Sequence, residues 1–406
     1  LMQPAKHKFT IFKQIVEMIP SYLVPKLARK HDVEKRCRTF SAWSHVVSML
    51  FAHQSHALSL NDIADTLRFH KGALSTLRNA TPPSRNGLSH ANRVRPASMA
   101  KELFHEVLRY LTNRFPQFGR IDTTFKLPRK IKRTINLVDS TTIQLFANCM
   151  SWAKHRRRKA AAKCHMLLDA QTFLPRFAVV KNAKSHDAVM AKTLCSGLKD
   201  GEFVVFDKAY VDFSHLFELM QRGILWISRS KTNMAYRIVK KLKITNRSII
   251  VDAKIKLTGI KSSQLYPECF RLIIADVIRD GKIVRMEFIT DDFELAASTI
   301  CDLYKARWDI EIFFKQLKQT LKLSDFLGYN ENAVQWQIWM ALLTYVLMRF
   351  IAYTSKWKGT FARLFTVLRG ILWNRLALQS VLDCCGTAEK QLRMCMQPQQ
   401  LYLALF

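Results

Sequence analysis

The chain has 406 residues, 49% of them hydrophobic, which is enough for two or three domains with a large core and excludes a chain disordered throughout. Lys and Arg number 64 against 31 Asp and Glu, a formal charge of +33. That surplus exceeds what solubility requires and points to a polyanionic partner, because each cation that neutralises a phosphate releases counterions; on charge alone, a ribosomal-type or membrane-surface protein competes.

Residues 1–125 read as helical. FTIFKQIVEMIP, FSAWSHVVSMLFAHQ, LNDIADTLRF and MAKELFHEVLRYLTNRF each carry apolar residues at three-and-four spacing. Ser59 ahead of Leu60 predicts a capped short helix. Between the last two segments TPPSRNGLSHANRVRPAS, rich in Pro, Ser, Asn and Arg, reads as a loop. These helices fit a helix-turn-helix and a bundle without a recognition helix equally well. The opening stretch LMQPAKHKFTIFKQ lacks the long apolar run of a signal peptide. The nine cysteines are odd in number and form no C-x-x-C pair, which argues for reduced, cytosolic thiols against a disulfide framework or zinc ribbon.

FKLPRKIKRT, residues 125–134, is a basic connector, and beyond it the period changes. INLVDSTTIQLF, CHMLLDAQ, LPRFAVVKN, EFVVFDKAYVD and ILWISRS are short β-branched and apolar runs, interleaved with helical DAVMAKTLCSGL and SHLFELMQRG. Strands alternating with helices predict a mixed α/β sheet. From Lys231 to Thr290 the pattern is strand-rich, and AYRIVKK, RSIIVDAKIKL, FRLIIADVI and KIVRMEFIT predict a small antiparallel β unit with basic faces. The chain is helical again from Asp292 to about Leu382. Within that stretch Ala333–Tyr353 is long enough to span a bilayer, but Gln335, Gln337 and Arg349 interrupt it and a buried helix is the better reading.

The strongest local signal is LAASTICDLYKARWDIEIFFKQLKQTLKL. On a helix of about 100° per residue, Tyr304, Arg307, Glu311 and Lys318 fall within an arc of about 60°, beside an apolar stripe of Leu303, Ile310, Phe314, Leu317 and Leu321. Alone, such a row is a solvated ion-pair face. It gains meaning from Asp139 in LVDSTT and Asp207 in FVVFDKAY, each at the end of an apolar run, where α/β sheets keep their sites. Three carboxylates from two strands and one helix suit a divalent ion such as Mg2+ or Mn2+, and two ions about 4 Å apart would serve phosphodiester chemistry.

The spacing Y-x2-R-x3-E-x6-K, from Tyr304 to Lys318, resembles the Y-R-E-K signature of DDE transposases of the insertion-sequence-four family. Asp139 in VDSTT and Asp207 in FDKAY resemble that family's two aspartates, and KCHMLLD (163–169) and SHD (185–187) resemble the stretch between them. The family's glycine before the lysine-x-histidine element is replaced by Ala161 and Ala162. The resemblance implies a ribonuclease-H-like catalytic domain over 130–230 and 291–382, a β-strand insertion over 231–290, an N-terminal helical domain over 1–125 for DNA-end binding, and a tail over 383–406. It implies Asp139, Asp207 and Glu311 as catalytic metal ligands for Mg2+ (or Mn2+). Cleavage at terminal repeats would be followed by strand transfer into target DNA. It further implies DNA contacts by Tyr304, Arg307 and Lys318, a homodimer on paired ends of double-stranded DNA, and action in the bacterial cytoplasm on the nucleoid. Lys163 and the run Arg156, Arg157 and Arg158 are candidates to meet the DNA backbone, with a merely solvated surface as the equal alternative. Tyr236, Tyr266 and Phe270 read as core residues before candidates to stack a flipped base. His165 and His186 read as polar or satisfied histidines before metal ligands. The competing functions are a DNA-binding protein with structural carboxylates and a metal-dependent nuclease.

Overall fold

Apolar runs without polar alternation become the parallel centre of a sheet, since strands covered on both faces have no solvated side. In the computed structural model, which describes residues 3–34, 39–118, 131, 133–145, 154–156, 159–182, 187–279, 282–321 and 328–386, INLV and FVVF take that place. Packing divides the chain into two compact units, one drawn from Leu1–Phe118, Gln144–Ala161 and Lys315–Phe406, the other from Gly119–Ile143 and Ala162–Phe314.

The strands of the second unit are β1 (Ile135–Leu145), β3 (Lys159–Asp169), β4 (Pro175–Asn182), β5 (Phe203–Phe206), β6 (Leu225–Arg229), β7 (Tyr236–Lys241), β8 (Ile249–Leu257), β9 (Phe270–Arg279) and β10 (Lys282–Thr290); β2 (Lys154–Arg156) pairs with the first residues of β3. Their order is β3-β1-β5-β6-β10-β9-β8-β7, with β4 antiparallel on β3. β1, β5 and β6 are mutually parallel. The part β4-β3-β1-β5-β6 is the expected ribonuclease-H-like arrangement, a mixed sheet with helices. Ala161 and Ala162 lie inside an unbroken β3, so the replaced glycine marks no turn. The insertion is antiparallel, but it does not stand apart from this sheet. β10 pairs with β6, Thr290 opposite Ile227 and Phe288 opposite Arg229, so β7–β10 extend the same sheet.

The helices Asp187–Cys195 and Phe213–Gln221 contribute to the sheet's core, where Leu194, Leu216 and Leu219 pack with Val138, Phe206 and Trp226. Full burial of each large side chain contributes about 1.5–3 kcal/mol. Gly223, at φ +68°, closes the Phe213–Gln221 helix and launches β6; a Cβ there would collide with the Asp200 carboxylate.

Asp291 follows β10 and accepts the N–H of Trp226 at 2.8 Å. Burial pushes its carboxyl up to about 7, with the Trp226 N–H opposing. The folded chain therefore holds a proton that the unfolded chain releases in the ordinary carboxylate range. Stability from this group is full in acid and is lost as pH rises through about 7. Asp291→Asn keeps an acceptor for Trp226 and removes the titration. It is expected to raise the melting temperature at about pH 8 and to leave it unchanged at about pH 4; an equal change at both would count against the assignment.

The first unit is helical. Ser59 accepts from Asp62 N–H while Asp62 accepts from Ser59 N–H, the reciprocal cap expected for Leu60–Phe69. The segment read as a loop contains the helix Arg85–Val94, started by Ser84, whose Oγ accepts from Gly87 N–H at 3.0 Å. Its buried face is only Leu88, Ala91 and Asn92, too thin a stripe for periodicity to register. The apolar segment around Ala333–Tyr353 is the helix Glu331–Thr354, whose most apolar window is 89% buried against the helices Ala42–Ser55, Arg85–Val94, Ala97–Arg114 and Phe361–Gly370. Trp336 anchors it, donating from Nε1 to the Arg95 carbonyl at 2.7 Å. From Lys315 onward the chain clusters with the N-terminal helices.

Candidate active site

Val138 pairs with Phe206 across parallel β1 and β5, so the next residues, Asp139 and Asp207, emerge side by side. Neighbouring strands lie about 4.8 Å apart. β1 itself continues to Leu145, so Asp139 sits within a strand; what ends beside it is β5. Asp207 leads into the 3-10 turn Lys208–Tyr210. Ser140 N–H donates to Asp139 Oδ1 at 2.7 Å.

The Tyr-Arg-Glu segment approaches both aspartates. Tyr304 donates its hydroxyl to Asp207 Oδ1 at 3.4 Å. Arg307 donates from Nη1 to Asp139 Oδ2 at 2.7 Å and from Nη2 to Glu311 Oε1 at 3.3 Å. Tyr304 is buried against Phe288, ring centroids 5.1 Å apart. The segment is not one regular helix. It runs as Ala297–Lys305, a 3-10 turn Ala306–Trp308, a helix Asp309–Lys315 and a π-helical turn Gln316–Thr320. A uniform 100° wheel therefore fails on either side of Glu311, because the 3-10 turn winds tighter and the π turn wider. Lys318 lies in the π turn and in the first unit.

Side-chain exposure is 18% for Asp139, 11% for Arg307 and 53% for Glu311, so the acid–base pair is sheltered and the glutamate open to solvent. Burial pushes Asp139 up to about 6; Arg307 and the Ser140 N–H pull it down, and Asp207 and Glu311 push it further up. Burial works against the Arg307 charge, yet Asp139, Tyr304, Asp207 and Glu311 hold its pKa above the ordinary value. Burial also pushes the Tyr304 hydroxyl up to about 12, so it is a donor at neutral pH.

Among the described residues no three His, Cys, Asp or Glu side chains stand as a ready metal cage. The guanidinium of Arg307 bridges Asp139 and Glu311, where a cation is electrostatically favoured. Hard carboxylate oxygens around a site already drawing a positive charge fit a divalent ion, provided Arg307 yields.

The other expected site residues fall differently. Lys163 is committed to Asp187, Nζ 2.7 Å from Oδ1. Arg156 belongs to β2, while Arg157, Arg158 and His186 lie outside the described residues. His165 is buried, its Nδ1 3.1 Å from the Tyr210 hydroxyl while its Nε2 is buried without a hydrogen-bond partner among the described residues, so it is a core histidine satisfied on one nitrogen only. Tyr266 and Phe270 are wholly buried around Trp226, with centroids 5.1–6.0 Å apart, and offer no face to a base. Tyr236 packs partly buried on the same core. One feature was missed: Asp187 is the hub of a polar network behind the aspartates. The basic faces expected of the β unit take a definite register, Arg237 opposite Lys256 and Lys240 opposite Lys254 across β7 and β8.

Two aspartates on adjacent parallel strands of a ribonuclease-H-like sheet, faced by a glutamate from a helix, are the arrangement that the resemblance to DDE transposases implies. Residues 130–347 match the family Transposase DDE domain, and the chain belongs to it. Residues 7–77 match a domain of unknown function, DUF4372. A Sinorhizobium fredii relative described as a transposase is 30% identical, over 66% of this chain and 72% of its own length. One from Geobacillus stearothermophilus, described as a transposase for insertion sequence element IS5377, is 28% identical over 55% and 58%. Transposase InsG for insertion sequence element IS4 of Escherichia coli is 24% identical over 43% and 39%, so this chain spans less than two thirds of the latter two. A solved piggyBac transposase synaptic complex with hairpin DNA aligns over 99% of this chain and 86% of that chain at 10% identity, with a TM-score of 0.43. Transposases act on DNA, and DDE enzymes generally use divalent metal ions.

Proposed function

We propose that this chain cuts the terminal inverted repeats of a bacterial insertion sequence and joins the freed 3′ ends to target DNA, with Asp139, Asp207 and Glu311 as its catalytic carboxylates. The observation that carries this reading is the convergence of the three on Arg307 and Tyr304: two aspartates beside each other on β1 and β5, and a glutamate bridged to one of them. These three side chains would hold Mg2+, or Mn2+ in its place, which when bound stabilises the charge that develops on the phosphoryl oxygens.

The chain's own residues do the rest. Tyr304 fixes the Asp207 carboxylate through its hydroxyl. Arg307, planar and permanently charged, suits a pair of phosphate oxygens once it leaves Asp139. Lys318, Lys163 and Arg156–Arg158 are candidates for backbone contacts, Lys163 only if it gives up Asp187. The N-terminal helical domain would bind the DNA end. Two ends require two active sites, so a homodimer acting on the nucleoid is the economical assembly.

The β7–β8 pair adds a DNA surface. Like charges directly opposite in a ladder are destabilising, and no carboxylate pairs with Arg237, Lys240, Lys254 or Lys256 among the described residues. A phosphate backbone would supply the missing anions. Replacing all four with Ala is expected to reduce the slope of log K against log salt by up to about 3–4, equally for terminal-repeat and unrelated duplex. An unchanged slope would remove this face from the DNA path.

The main test is a labelled duplex carrying the element's terminal repeat, with Mg2+ and a supercoiled target. Cleavage freeing a 3′-OH, followed by joining, is the expected result. Cutting without joining would reduce the chain to a nuclease; binding without cutting would reduce it to a DNA-binding protein.

A further inference from the structure

We infer that Asp187 is a positioning residue that fastens Asp139 and Asp207 in their relative places, an inference that rests on the catalytic reading of those two aspartates. Asp187 opens the helix Asp187–Cys195. Its carboxylate accepts from Ser140 Oγ at 3.2 Å, and Lys163 Nζ lies 2.7 Å from Oδ1 and 2.8 Å from Oδ2. His165 Nδ1 stands 3.4 Å from the same Oδ1 and 3.1 Å from the Tyr210 hydroxyl. Both His165 and Tyr210 are fully buried.

These partners are the residues through which the two aspartates are held. Ser140 directly follows Asp139 in β1 and donates its N–H to that carboxylate. Tyr210 closes the turn that Asp207 heads, its N–H donating to the Asp207 carbonyl at 2.9 Å. Lys163 and His165 come from β3, the neighbour of β1 away from β5. One carboxylate thus gathers side chains from β1 and β3 directly, and from the turn after β5 through His165. An exposed Lys–Asp pair would be worth little. Here the acceptor takes the half-buried Ser140 hydroxyl directly and meets His165, which reaches the buried Tyr210 hydroxyl in turn, so removing the hub takes a partner from the support of both aspartate-bearing segments.

Groups behind metal-holding side chains set ligand geometry, and their loss typically lowers metal affinity or activity about 10–100-fold. The experiment uses the full chain and measures Mn2+ binding by electron paramagnetic resonance, beside cleavage rate, terminal-repeat affinity and melting temperature. Asp187→Ala is expected to weaken Mn2+ binding about 10–100-fold and slow cleavage comparably, with DNA affinity not reduced. Asp187→Asn, which keeps an acceptor for Ser140, is expected to recover part of the loss. If Asp187→Ala melts lower but binds Mn2+ like wild type, Asp187 is merely structural and the inference falls. Asp207→Asn separates the two readings, because wild-type Mn2+ binding in that variant would overturn the catalytic assignment itself. Should Asp187→Ala not fold, Ser140→Ala and Tyr210→Phe each remove one hydroxyl of the network; both must weaken Mn2+ binding, and wild-type binding in either overturns the inference.

Discussion

Asp207→Asn is expected to bind the terminal-repeat duplex at least as tightly as the native chain and to cut it at least about a thousandfold more slowly. Asn is nearly the same shape and keeps an oxygen to accept from Tyr304, so the turn after β5 should survive. What goes is a negative charge at the proposed metal position, where the ion stabilises the transition state by several kcal/mol, and each ~1.4 kcal/mol is tenfold in rate. DNA binding should not suffer, since an anion is removed from a surface that meets phosphates. Glu311→Gln is expected to behave alike, with the smaller cost in stability because its side chain is the more exposed. Asp139→Asn should cost more, because it takes the charge from a sheltered carboxylate bound to Arg307 at 2.7 Å. Residues acting as one unit do not add, so a double variant should cut no more slowly than the slower single one. Cleavage within tenfold of wild type in any single variant would break the three-carboxylate assignment.

Much of this site is legible in the sequence because its physics is local. FVVF is a continuous apolar run and INLV is broken only by the buried Asn136, as covered parallel strands tend to be, and the first charged residue after each is the aspartate. Their register is not local. Val138 meets Phe206 only because β1 and β5 pair across the intervening β3 and β4, and no short window holds that fact. The same limit hides the join of β10 to β6, which turns an expected separate unit into an extension of the sheet. Tyr304, Arg307 and Glu311 are readable as a spacing, but a wheel assumes one pitch, and Ala306–Trp308 and Gln316–Thr320 each change it. An apolar helix such as Glu331–Thr354 announces that it is buried without saying against what. For Tyr266 and Phe270 the deciding neighbour is Trp226, about 40 residues upstream, which makes them core.

Arg307→Met should make the stability of this protein depend on divalent metal. Arg307 is the cation that neutralises Asp139 and Glu311, and its guanidinium is largely buried. Removing one partner of a buried ion pair costs about 3–5 kcal/mol, since the remaining charge is left uncompensated. Met fills a similar volume, so the loss should be electrostatic rather than a packing defect. In the variant the carboxylates repel with nothing between them, and a divalent ion no longer has to displace a guanidinium to reach them. Melting temperature without metal should fall below wild type, and Mn2+ should restore it, by about 2.7 kcal/mol at a hundredfold excess over the dissociation constant. Wild type should gain less from the same Mn2+, because binding there first breaks the contacts at 2.7 and 3.3 Å. Cleavage should nevertheless fail in the variant if Arg307 also grips the scissile phosphate, so tighter metal binding and lost activity would appear together. Equal Mn2+ stabilisation of both proteins would mean that Arg307 does not occupy the metal's place, and its bridge between Asp139 and Glu311 would then be a fixed strut of the site rather than a cation that moves from carboxylate to DNA.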